Sequence, residues 1–130
     1  MTLEQLQQLH PGATADTWHQ HPNGGGWVEN TTTVNTSALV FGNALVFGNA
    51  SVYGDARVSN KRDIVYLDGV AEWGAVTAFR CADGKTRLVC GCQYFTLVEA
   101  HAHWAGRTDR PRTLLAVELI EKLMGDGRTE

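Results

Sequence analysis

Chemistry in this chain would have to come from its histidines and cysteines. Cys90-Gly91-Cys92 and His101-Ala102-His103 carry ligand types that suit zinc. Their spacing argues against a shared ion. Two histidines at i and i+2 on a helix lie about 200° apart, and structural zinc sites space their cysteines more widely. Buried small hydrophobes are the plainer reading of these cysteines. His19 and His21 can face one way on an extended segment, but no Cys, Asp or Glu cluster near them completes a metal site. Loop and capping roles are expected for both. A cysteine nucleophile with His101 as base is formally available, yet nothing in view lowers a thiol pKa. Acyl transfer needs a general base, usually histidine, and none occurs between Asn23 and Ala100. The reading is no catalytic residue, no metal ligand and no cofactor.

The elements that would position any site are dominated by a period of six. Val28, Val34, Val40, Val46, Val52 and Val58 recur without a slip, and Thr32, Ala38, Ala44, Ala50 and Ala56 follow the first five at +4. Gly42, Gly48 and Gly54 precede Asn43, Asn49 and Asp55, which are bend residues. Neither a strand nor a helix repeats every six residues. The period therefore predicts short extended segments alternating with bends, stacked so that the valines form a continuous core. A meander of antiparallel strands with Gly-Asn turns is the alternative, and such strands rarely keep one period.

The stretch resembles the hexapeptide repeats of left-handed parallel β-helices. That resemblance implies three hexapeptides per triangular coil, with Val28 on Val46, Val34 on Val52 and Val40 on Val58. Ile64, Val70 and Val76 keep the spacing of six, but the small position becomes Arg62, Asp68 and Gly74, so the coils are expected to end near residue 60. Residues beside the valines then point outward. Leu39, Phe41, Leu45, Phe47 and Tyr53 are the interface candidates, because such an apolar face needs a cover, from this chain or another copy. The β-helix carbonic anhydrases take zinc on coil histidines, which are missing here.

Before the repeats, Thr2-Leu3-Glu4-Gln5 has the form of a capping box, giving a helix near residues 2–9. Trp18 and Trp27 flank a glycine-rich loop and are expected to cap the open end of the coils. After the repeats, Ile64 to Leu67 reads as a strand. Ala75 to Cys81 and Thr86 to Cys92 alternate around Asp83-Gly84, a hairpin signal. A two-residue turn there would pair Cys81 with Thr86, Cys90 with Thr77 and Cys92 with Ala75, with no disulfide. Thr96-Leu97-Val98-Glu99 opens a helix running through Trp104. A last helix is expected from Pro111 to Met124, ended by Gly125, with Leu115, Leu119, Ile120 and Leu123 inward. The hairpin and these helices are expected on the Leu39, Phe41, Leu45 and Phe47 side.

The fold class is thus mainly β: a short left-handed parallel β-helix (hexapeptide solenoid), a β-hairpin and C-terminal helices. Residues 1–27 form an N-terminal helix and capping loop, 28–62 the β-helix, and 63–130 the hairpin and two helices packed on the coils, in a single compact unit. His21-Pro22-Asn23-Gly24-Gly25-Gly26-Trp27-Val28, followed by hexapeptides, is similar to a family of small proteins of bacteriophages and prophages, whose members have no established activity. Its pattern of a short β-helix, a hairpin and helices covers nearly the whole chain.

Composition narrows the function classes. The chain has 130 residues and a formal net charge of −3, which argues against general nucleic-acid affinity. Arg57, Lys61 and Arg62, and Arg107, Arg110 and Arg112, read as solvated surface. No apolar run approaches the ~20 residues of a membrane span. No basic start followed by an apolar stretch marks a signal peptide, and three cysteines read as reduced thiols. A cytoplasmic protein is expected, in the host cell if phage-encoded. The expected function is a non-enzymatic protein-interaction module and homo-oligomer, binding itself or a host protein. On the phage resemblance it is an inhibitor of a host defence protein. The alternatives are a degenerate acyltransferase-fold enzyme and a small structural or scaffold protein.

Overall fold

A computed structural model describes residues 1–72, 74–90 and 93–125. Helix α1 (Leu3–Leu9) starts at Thr2, whose side chain accepts from the Gln5 amide while the Gln5 side chain returns to the Thr2 amide. Strands β1 (Trp18–Gln20) and β2 (Trp27–Glu29) are antiparallel, and β5 (Leu45–Val46) lies parallel to β2. There are two further parallel pairs. They are β3 (Thr33–Val34) with β6 (Ser51–Val52), and β4 (Leu39–Val40) with β7 (Arg57–Val58). After a 3-10 turn at Lys61–Asp63, strands β8 (Ile64–Leu67), β9 (Val76–Arg80), β10 (Thr86–Cys90) and β11 (Gln93–Thr96) form an antiparallel sheet, ordered β11-β10-β9-β8. Helices α2 (Leu97–Trp104) and α3 (Pro111–Met124) complete the described chain.

The expected left-handed parallel β-helix is corrected. The strands make four small separate sheets of two to four strands, the largest of them antiparallel, accompanied by three helices, and the described residues form no solenoid. The spacing of 18 survives only as register: Val28 lies opposite Val46, Val34 opposite Val52 and Val40 opposite Val58. A solenoid needs at least three stacked repeats, and the third layer never forms. Ile64 instead lies opposite Phe79, and Val76 opposite Leu67, both antiparallel. The switch falls where Arg62, Asp68 and Gly74 replace the small residue that a tight corner requires.

The repeat valines and the alanines Ala38, Ala44, Ala50 and Ala56 share one buried cluster with Phe79, Cys81 and Val89. Alternate residues of the same strands, Val76, Ala78, Leu88 and Cys90, join a second cluster with α2 and α3. The antiparallel sheet is therefore buried on both faces, between repeats and helices. The helices do not lie on the Leu39, Phe41, Leu45 and Phe47 side as the sequence suggested. Backbone seams hold the sheet to the last repeats: the Ser51 amide donates to Thr77 Oγ1 (3.1 Å), and the Ala82 amide to the Asp55 carbonyl (2.9 Å). Trp18 and Trp27 do not cap the coils either. They form a third cluster with Leu6, Ala13 and Leu45. The loop over residues 21–26 covers the first repeats instead, with the Gly26 amide donating to the Val40 carbonyl (2.7 Å) and the Val40 amide to Asn23 (3.0 Å).

The hairpin register differs from expectation by one residue. Thr86 lies opposite Arg80 and Cys90 opposite Val76, because the loop has three residues, Ala82 to Gly84, closed by Cys81 and Lys85. Gly84 at φ +81° takes the left-handed position that such a loop demands. Cys92, expected opposite Ala75, lies outside the described residues. Cys81 and Cys90 are free and buried on opposite faces of the sheet. Burial pushes both thiols up, Cys90 to about 11.

Helix α3 has no side-chain cap of its own. The Glu72 carboxylate takes that role, accepting from the amides of Arg112 (2.7 Å) and Thr113 (3.0 Å) and from the Thr113 hydroxyl (2.7 Å). Desolvation alone would raise the Glu72 pKa, but these hydrogen bonds overcome it and hold the group at about 2. A carboxylate depressed in the fold contributes stability that is complete above its ordinary pKa and lost as pH falls through the folded value. Denaturation midpoints should thus fall from about pH 4.5 towards 2 in the wild type. Glu72→Gln should be less stable at pH 7, with the two curves converging near pH 2. Parallel curves would show that Glu72 does not cap α3.

Candidate protein-binding groove

The five residues expected at an interface do not share one surface. Leu45 is buried under α1, among Leu6, Ala13 and Trp18. Tyr53 is half-buried edge-on to Tyr94, at 6.2 Å between ring centres. Phe41 is half-buried with the Arg57 guanidinium 6.0 Å from its ring centre, and Leu39 is half-buried beside the 21–26 loop. Phe47 remains 41% exposed. Of the five, only Leu45 and Phe47 line one hollow.

That hollow has a volume of about 350 Å³ and is walled by Leu9, His10, Leu45, Phe47, Lys61, Ile64 and Tyr66, with Ala50 also in the lining. Each wall has a local cause. Leu9 and His10 end α1, where the His10 amide donates to the Leu6 carbonyl (2.8 Å). Phe47 comes directly after Val46 of β5, and since Val46 points into the valine core the next side chain turns outward. Ile64 and Tyr66 alternate with Val65 and Leu67 along β8, so they face the repeats while the others face the helices. The Tyr66 hydroxyl accepts from the Asn49 amide (3.0 Å), and its ring passes close to Gly48, where a Cβ would sit 2.6 Å away. Aromatic contacts tie the walls together: His10 lies 5.2 Å from Trp18 and 5.3 Å from Phe47, and Phe47 meets Tyr66 edge-on at 6.3 Å.

The surface is mainly apolar. Among the described residues Lys61 is its one charged wall, and the His10 ring and Tyr66 hydroxyl are its other polar groups. Leu9 and His10 at the end of α1, and Lys61, Ile64 and Tyr66 in the turn that runs into β8, are two stretches distant in sequence, so residue spacing carried no sign of their meeting. One sign existed for Phe47: an aromatic directly after an inward valine must point out.

The residues weighed for metal chemistry are dispersed. His21 is buried, and its Nε2 donates to the Ala38 carbonyl (2.8 Å), which fixes the tautomer and makes it a brace for the loop. His19 Nδ1 donates to Asn30 Oδ1 (2.6 Å), and Asn30 in turn donates to the Asp16 carbonyl (2.8 Å). His101 and His103 are exposed on α2, with His103 against Phe95 at 5.0 Å, while Cys90 is buried beneath the helices. Among the described residues no three His, Cys, Asp or Glu side chains gather to hold a metal, and no helix is long and apolar enough to cross a membrane. The chain matches no protein-family model, no curated protein and no solved structure.

Proposed function

We infer that the protein is a non-enzymatic binding module that recognises another protein through the Phe47 groove. The observation that carries this reading is a large aromatic side chain, 41% exposed, held over an apolar hollow by rings on either side. Leu9, 46% exposed, extends the same apolar surface. Aromatic anchors beside pockets are where binding energy concentrates in protein interfaces. A finer reading draws on the resemblance of the segment from His21 to Val28 and its repeats to phage and prophage proteins. On it the protein is phage-encoded and inhibits a host protein, such as a component of a defence system, by covering its surface.

The test is a comparison of wild-type and Phe47→Asp proteins as baits in a host lysate. A partner held by the wild type should bind the variant about thirtyfold more weakly, a loss of the ~2 kcal/mol typical of an interface anchor. The variant should stay folded, because its ring is already partly in water, at a stability loss of about 1 kcal/mol. A partner held equally by both proteins would move recognition elsewhere on the surface.

A further inference from the structure

Helix α3 presents a second apolar surface, independent of the groove. It buries Thr113, Ala116, Val117, Ile120 and Met124 against the sheet and α2. Leu115, Leu119 and Leu123, three of the four residues expected inward, are instead 62%, 44% and 62% exposed. They lie four apart and form one ridge, about 120° round the helix from the buried face. Ridges of this spacing interdigitate in the commonest class of helix packing.

We propose that this ridge is a self-association surface, on which α3 of a second copy packs antiparallel about a two-fold axis at Leu119. Leu119 then meets its own equivalent, and Leu115 of each copy meets Leu123 of the other. The flanking charges select the second copy and its direction. Glu118 and Lys122 border the ridge on one side, one turn apart. Antiparallel packing places Glu118 of each copy beside Lys122 of the other, giving two opposite-charge pairs from one contact, as an isologous interface requires. Parallel packing about a two-fold axis would put the charged borders of the two copies on opposite sides of the contact, where they form no pair. Three leucines per copy fall short of the ~800 Å² per partner of a standard stable interface. The dimer is therefore weak and concentration-dependent.

Light scattering and sedimentation equilibrium on the full chain test this. The mass should rise from 14.2 kDa towards twice that value as concentration increases through roughly 10 µM to 1 mM, the range of a weak complex. Leu119→Asp should hold the protein monomeric with unchanged circular dichroism. Glu118→Lys should weaken association about tenfold, and adding Lys122→Glu to it should restore association, as a double-mutant cycle requires. A wild type that stays monomeric at 1 mM would overturn the proposal and leave the ridge to a foreign helix. So would a dimer that survives Leu119→Asp but not Phe47→Asp, or a double reversal that fails to rescue.

Discussion

Phe79→Ala should cost about 3–5 kcal/mol of folding stability, a large part of the ~5–15 kcal/mol that holds a domain of this kind together. Phe79 is fully buried in the layer where the antiparallel sheet meets the repeat valines, and its ring stacks on Tyr94 at 6.1 Å. The cavity left by alanine has little means of closing. One wall is the sheet itself, whose other face is already packed on helices, and the opposite wall is pinned to the sheet through Ser51 and Asp55. Urea denaturation gives the number. A midpoint shift worth less than about 1 kcal/mol would mean that the layers are not close-packed at Phe79.

Three glycines give the second large effect, with its own internal controls. Gly24 has φ +114°, and a Cβ there would lie 2.3 Å from the Val40 carbonyl oxygen, the same atom that accepts from Gly26. Gly24→Ala therefore combines backbone strain, of order 1–3 kcal/mol, with a clash against main chain that cannot rotate away. Gly25, at φ +79°, has only the far end of Gln20 within 4.0 Å of its added Cβ, so Gly25→Ala should show the strain alone. Gly12 has open space and no positive φ, so Gly12→Ala should be within about 0.5 kcal/mol of wild type. The expected order of thermal midpoints is Gly12→Ala above Gly25→Ala above Gly24→Ala. Equal losses at Gly24 and Gly25 would mean that the 21–26 loop does not press on β4.

The helix-capping signals in the sequence were accurate, because their cause is local, whereas the Asp83-Gly84 turn signal gave the hairpin but missed its register by one residue. Both capping boxes, at Thr2 and Thr96, start helices, and α3 runs from Pro111 to Met124 with Gly125 at its end. The period of six became the register of the three parallel strand pairs. The expected solenoid failed because repeats that end near Asn60 supply only two layers, which close as small separate sheets, and beyond them β8 pairs antiparallel with β9. The inward face of α3 was misplaced for a related reason. Leucine is the more hydrophobic choice, but the space beneath α3 is shaped by Trp104 and the sheet and takes Thr113, Ala116 and Val117. Shape decided that contact, and shape belongs to the assembled fold. The groove was legible only through Phe47 and Leu45, since its other walls are brought together by tertiary packing alone.

The N-terminal helix that closes one side of the groove is its least anchored wall. Helix α1 has seven residues and one fully buried side chain, Leu6, with further ties from the Trp27 indole to the Met1 carbonyl (2.7 Å) and from the Gln7 side chain to Ala13 (2.9 Å). A helix that short is not stable in isolation, and burying one leucine contributes only about 1.5–3 kcal/mol. Its local unfolding therefore requires less free energy than opening the sheet, so it detaches far more often than the molecule unfolds. Each detachment bares Leu45 and Trp18 while the repeat core stays shut. The groove thus has two depths in equilibrium, a shallow one led by Phe47 and a deeper one floored by Leu45, and a molecule that reached the second would do so at the expense of the helix.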